Sequence, residues 1–162
     1  MTALDLMHAL ERQPFAVAIA ESAWLFPLFE ILHVLALTVV VGSVGMMDLR
    51  LLGVGSRDRA ITELNRAVLP WTWAAFACAA AFGSLLFSSK AATYYVNVPF
   101  RIKMVCLALA AANMLLYHLV TERDVADWDR GATPLRARLA GAISLTLWVA
   151  IVATGRWIGF TT

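Results

Sequence analysis

The sequence predicts an all-α integral membrane protein: a four-helix bundle with a short amphipathic surface helix at its N-terminus. Two observations predict it. The chain is 61% hydrophobic and only 15% charged, whereas soluble domains are about 45–50% apolar and about 25% charged. Its apolar residues also fall into four runs, each close to the roughly 20 residues that cross the hydrocarbon core of a bilayer. The segments between the runs hold most of the charge. Four such runs use up the 162 residues, so one membrane domain over 1–162 is expected and no separate soluble domain.

Residues 3–13 place Leu4, Met7 and Leu10 on one side of a helix and Asp5, His8, Glu11 and Arg12 mostly on the other, which suits a helix lying on the membrane surface. Pro14 is expected to end or kink it. No basic segment precedes an apolar run of signal length, so a cleavable signal peptide is not expected. The first span is expected at 24–47, with Trp24 as an interfacial anchor and Gly42 and Gly45 allowing close packing. Asp48 to Gly53 then read as the start of a polar loop, and Thr62 to Arg66 as a brief surface helix. The second span is expected at 68–89, with Pro70 in its first turn and an Ala-, Gly- and Ser-rich middle. The third, 99–120, opens Pro99-Phe-Arg-Ile-Lys103 and ends Tyr117-His118. A charged loop follows, broken by Gly131 and Pro134, and the fourth span is expected at 139–160.

Most of the thirteen Lys and Arg lie in the loops after the first and third spans: Arg50, Arg57, Arg59, Arg66, Arg123, Arg130, Arg136 and Arg138. The positive-inside rule then places both termini on the outer, periplasmic side of a bacterial inner membrane. A net charge of +2 without a basic tract gives no footprint for nucleic acid. Cys78 and Cys106 sit inside apolar runs with no CxxC, so neither a zinc knuckle nor a disulfide framework is expected.

Ionisable groups inside a span cost several kcal/mol, about 3 on insertion scales, and generally turn inward to serve a function. Glu30 and His33 are three residues apart and leave one helical face. At about 1.5 Å of rise per residue, Glu30 lies about 9 Å and His33 about 14 Å below the surface at which the first span begins. By the same rise Arg101 and Lys103 lie about 3–6 Å, and Arg156 about 6 Å, below that surface. The spans thus bring Glu30, His33, Arg101, Lys103 and Arg156 to one half of the bundle. His118 lies at the other end, where Asp48, Arg50, Trp71, Trp73 and Glu122 also fall.

Imidazole is a common axial ligand of haem iron in helical bundles, and haem propionates want cations near the aqueous edge. The expected cofactor is therefore one haem b on His33, with Lys103, Arg101 and Arg156 at the propionates and Glu30 tuning the site. The expected role is electron transfer or redox chemistry, with the membrane quinone pool or a redox protein as partner. The chain would act as a homo-oligomer or as a subunit of a larger respiratory-type complex. His118 is the candidate ligand of a second haem, and His8 a further imidazole near the outer surface. One alternative is a non-haem accessory or small-solute or ion transport protein, with Glu30 paired to Lys103 or Arg156 and His33 bonded to backbone or a hydroxyl. A copper site from His33, Cys78, Cys106 or Met104 is a weaker alternative. Glu30-x-x-His33 has no second ExxH to complete a di-iron site.

Several motifs span nearly the whole chain: Glu21-Ser-x-Trp24-x-x-Pro27, Glu30-x-x-His33, Asp48-Leu-Arg-Leu-Leu-Gly53, Pro70-Trp-Thr-Trp73, Asn97-x-Pro99-Phe-x-x-Lys103 and Gly155-Arg-Trp-Ile-Gly-Phe160. Together they resemble a family of small, largely uncharacterised four-span bacterial inner-membrane proteins. A first-span His, a small-residue-rich segment and a third span running from Pro-Phe-x-x-Lys to Tyr-His are similar to the haem-binding four-helix protoporphyrinogen oxidases of bacteria. Copper-resistance D-type and cytochrome b561-type proteins are more loosely similar. The oxidase resemblance implies that His33 binds haem and that Lys103 matters; its enzymatic activity is not carried over, because the rest of that pattern is absent.

Overall fold

A computed structural model describes residues 2–55 and 59–161, apart from the side chain of Glu122. Expectations placed on Arg57 and on the Glu122 side chain lie outside the described residues. The fold is all-α. Its helices are α1 (Ala3–Glu11), α2 (Pro14–Glu21), α3 (Leu25–Leu52), α4 (Ile61–Ser89), α5 (Ala91–Val96), α6 (Val98–Leu116), α7 (Val125–Trp128) and α8 (Leu135–Ile158). A π turn, Tyr117–Thr121, continues α6. By length and composition, α3, α4, α8 and the stretch Val98–Thr121 can each cross a membrane. Their large apolar side chains face outward: Leu35 is 58%, Val105 59% and Val149 63% exposed. Such surfaces are stable against lipid and costly against water, so this is a multi-pass membrane protein.

The helix ends differ from the sequence expectation for identifiable reasons. The first span runs on through Asp48 to Leu52, because Gly53 takes the left-handed conformation (φ 75°) that stops it. There the Val54 N–H reaches the Leu49 carbonyl and the Gly53 N–H the Arg50 carbonyl, both at 3.0 Å. This pairing satisfies carbonyls that a helix end leaves open. The second span starts at Ile61, absorbing the expected surface helix, because Ile61, Leu64 and Val68 bury one continuous face. Pro70 consequently lies inside α4 rather than in its first turn, where it cannot donate to the carbonyl four residues back. The N-terminal segment is two helices, since Pro14 starts α2 as well as ending α1. Neither short helix stands alone: α1 packs on α5 and α4, and α2 on α4 and α3. His8 faces Glu11 at 3.3 Å, and Glu11 accepts the Ala92 N–H at 2.9 Å.

Among the spans, α3 packs on α4 and α8, and α6 packs on α8. At Gly141 a Cβ would stand 3.1 Å from the Asp48 carbonyl oxygen, so glycine there lets α8 lie directly against α3. In contrast, α4 and α6 scarcely touch, and the bundle is open along that side. An apolar layer of Val40, Ala110, Trp148 and Ile151 fills its middle. A second cluster, Leu51, Ile61, Trp128 and Ala137, closes the end at which α3 finishes.

That far end is tied by polar bonds. Arg50 is 2% exposed. It donates to the carbonyls of Arg59 (3.0 Å) and Asp129 (3.2 Å) and to the Thr133 hydroxyl (3.4 Å). The Asp129 carboxylate accepts the Thr62 N–H at 2.9 Å and its hydroxyl at 2.6 Å, at the start of α4 where the helix dipole favours negative charge. Burial raises the Asp129 pKa, but the bonds from Thr62 and Ile61 and the Arg130 charge outweigh it, so the carboxyl is held below its ordinary value. A depressed folded-state pKa contributes stability above the unfolded value of about 3.9 and loses it as pH falls through the folded one. Thermal midpoints should therefore drop on acidification below about pH 4, and Asp129→Asn should flatten that decline.

Candidate functional site

A cavity of about 750 Å³ opens among the four spans at the end where α3 begins. Pockets for small molecules and cofactors run from about 300 to 1,000 Å³. Glu30 and His33 on α3, Gly83 and Phe87 on α4, Phe100 and Lys103 on α6, and Gly155 and Arg156 on α8 all line it. Lys90 and Tyr94, from the turn after α4 and from α5, complete the rim.

The half-buried imidazole of His33 is held in one orientation. Its Nδ1 lies 2.7 Å from the Ala79 carbonyl oxygen. A carbonyl only accepts, so Nδ1 carries the hydrogen and Nε2 keeps its lone pair. This is the tautomer and support that metal-ligating histidines adopt. Gly83, one turn on along α4, makes room for the ring: a Cβ there would stand 2.9 Å from His33 Cε1 and 3.2 Å from Nδ1. Phe29 and Phe82 stack at 5.9 Å and lock the same helix pair. Glu30 does not take the His33 Nδ1 proton, because the Ala79 carbonyl already does.

The cavity carries more positive than negative groups. Lys103 is half-buried and passes close to Gly155, where a Cβ would stand 3.7 Å from its Nζ, an ordinary contact. The Lys90 Nζ sits 5.1 Å over the Phe26 ring, and the Arg156 guanidinium 4.9 Å over Phe160. Glu30 is on the same lining but forms no ion pair with Lys103 or Arg156. Three rings, Phe87, Tyr94 and Phe100, stack with centroids 5.4–6.3 Å apart and make one wall. Burial, with Glu30 nearby, pushes the Tyr94 phenol above its ordinary pKa, so it stays protonated.

These positions correct the expectation placed on Arg101. Arg101 is exposed and does not line the cavity. Residues two apart on a helix point about 200° apart, so Arg101 cannot share the inward direction of Lys103. His118 lies elsewhere, on the π turn, with Nδ1 2.9 Å from the Met114 carbonyl oxygen. It lines a second cavity of about 240 Å³ with Asp48 and Trp73. Trp71 is exposed, and Arg50, in the last turn of α3, bonds to the far-end loops. Cys78, Cys106 and Met104 do not line the His33 cavity, which removes the expected copper ligands from His33. Among the described residues, no three His, Cys, Asp or Glu side chains gather as a metal site.

Sequence reasoning missed Lys90, the aromatic wall and the Gly83 notch; a backbone bond for His33 was expected under the non-haem alternative, though not Ala79 as its partner. Lys90 was legible as the first charge after the second span. The Gly83 signal was legible only as a small-residue stretch; its partner, the His33 ring, required the packing of α3 on α4.

A family model described as a family of unknown function (DUF6644) matches residues 25–161, covering all four spans. No curated protein and no solved structure matches the chain.

Proposed function

The chain belongs to the family of unknown function DUF6644, and from that premise we propose that it binds one haem b in the larger cavity and works in electron transfer or related redox chemistry. The observation that carries this reading is the His33 imidazole, fixed through Nδ1 by the Ala79 carbonyl with its Nε2 lone pair left for iron. A haem bound there supplies one-electron redox chemistry. The protein's own part is to hold and tune it. His33 would hold the iron, and Lys103, Arg156 and Lys90 would neutralise the propionates. The stacked Phe87, Tyr94 and Phe100 wall excludes water from one side, and Glu30 adjusts the local field. No second imidazole lines this cavity among the described residues, so a haem there would have one histidine to hold it. His118 would serve only a separate haem at the other end.

We place the protein in a bacterial inner membrane with both termini outside. The exposed Arg59, Arg66, Arg123, Arg130, Arg136 and Arg138 at the far end support a cytoplasmic position for that end. Electrons pass to or from a lipid-soluble carrier or a partner protein, and the exposed side between α4 and α6 suits assembly into a homo-oligomer or larger complex. The second reading is a non-haem protein that handles an anionic solute; the surplus of cations over Glu30 in the cavity favours it. Chain purified from haem-supplied cells is expected to carry about one haem b by pyridine haemochrome, in line with a single axial histidine. Folded protein that carries none would leave the anion reading.

A further inference from the structure

The second cavity, about 240 Å³, lies on the far side of the apolar layer from His33. Along α3 the step from His33 to Asp48 is about 22 Å. Asp48 is 4% exposed; its carboxyl is hydrogen-bonded to the Ser144 hydroxyl, while Oδ2 has no hydrogen-bond partner. Among the described residues, no Lys or Arg lines this cavity. His118, its one basic side chain, is exposed and gives Nδ1 to the Met114 carbonyl. A bare carboxylate buried without a counterion is expensive, and in its neutral form Oδ2 is a hydrogen-bond donor with no acceptor among the described residues.

Trp73, Phe76 and Trp148 supply flat apolar walls around it. The open side between α4 and α6 leads to the lipid, and Trp73 and Met114 on that side are exposed. The nearby hydroxyls are already engaged: Ser43 donates to the Val40 carbonyl at 2.9 Å, and Thr72 bonds Ser43 at 2.8 Å. Asn113 gives its amide to the Ala140 carbonyl at 3.0 Å. One carboxyl with engaged neighbours is a poor cage for a cation, which needs about six oxygens, and a good anchor for one neutral acceptor.

We infer that this cavity binds the ring of a neutral, lipid-soluble carbonyl compound of the quinone class, with the Asp48 carboxyl donating a hydrogen bond to one carbonyl oxygen. The inference rests on the proposed function only in taking the electron partner to be lipid-soluble.

Titrating detergent-purified protein with decylubiquinone, followed by quenching of its tryptophans, tests it. Saturable quenching is expected. Asp48→Asn keeps a donor and should bind within about threefold of the parent, whereas Asp48→Ala should bind about tenfold or more weakly. Ala111→Leu, at an exposed lining position, should also weaken binding by filling the cavity while helical content stays unchanged. His33→Ala should leave the affinity within about twofold, since distant sites act independently, so the quinone result stands whichever way the haem result falls. Unsaturable quenching equal in all variants would overturn the inference. So would Asp48→Asn falling with Asp48→Ala, which marks a charged, cation-binding carboxylate.

Discussion

Gly83→Ala is expected to abolish the proposed haem binding. The added methyl would stand 2.9 Å from His33 Cε1, closer than Cβ atoms approach other atoms. Neither neighbour yields easily. The ring is pinned at 2.7 Å to the Ala79 carbonyl on the same helix, and α3 and α4 are held together by the Phe29–Phe82 stack. Relief comes from swinging the imidazole off Ala79, which loses both the tautomer and the aim of Nε2. Loss of such a supporting bond lowers metal affinity about 10- to 100-fold. Haem content per chain and reduced-minus-oxidised absorbance check it. Gly42→Ala and Gly45→Ala are the controls, because a Cβ at either meets nothing within 4 Å. Full haem occupancy in Gly83→Ala would mean that His33 does not hold the iron in this orientation.

Arg50→Ala is expected to be the most destabilising single change at the far end. Its guanidinium joins the end of α3 to the segments before α4 and before α8 through Arg59, Asp129 and Thr133. Removing it leaves two carbonyls without this donor under a side chain that is 2% exposed. Hydrogen bonds to charged groups contribute about 1.5–3 kcal/mol each, so a loss of about 3–5 kcal/mol is expected. Unfolding by SDS titration from mixed micelles measures it. Arg138→Ala, at an exposed position, should stay within about 0.5 kcal/mol. A loss below about 1 kcal/mol for Arg50→Ala would show that the loops hold without the clamp.

The four spans were legible because their lengths answer to bilayer thickness, which composition reports directly. Helix ends were less legible. Asp48 and Arg50 look like loop residues by charge, yet both are buried inside α3, since tertiary partners rather than hydropathy decide where that helix stops. Gly53 was the readable signal there. At the site, helical rise alone brings Glu30, His33, Lys103 and Arg156 to one depth, and the structure puts all four on one cavity. Rise without rotation misplaced Arg101, which the helical period turns away from Lys103. The Ala79 carbonyl and the Gly83 notch depend on how α3 and α4 are rotated against each other, and no local pattern in either helix fixes that.

The central claim, that His33 holds a haem, is tested most directly by absorption spectra of the air-oxidised and dithionite-reduced protein in mild detergent, for the parent, His33→Ala and His118→Ala. A reduced α-band is expected in the parent, with its loss in His33→Ala and its retention in His118→Ala. A band that survives His33→Ala, or a featureless spectrum from folded protein made with ample haem, would contradict it.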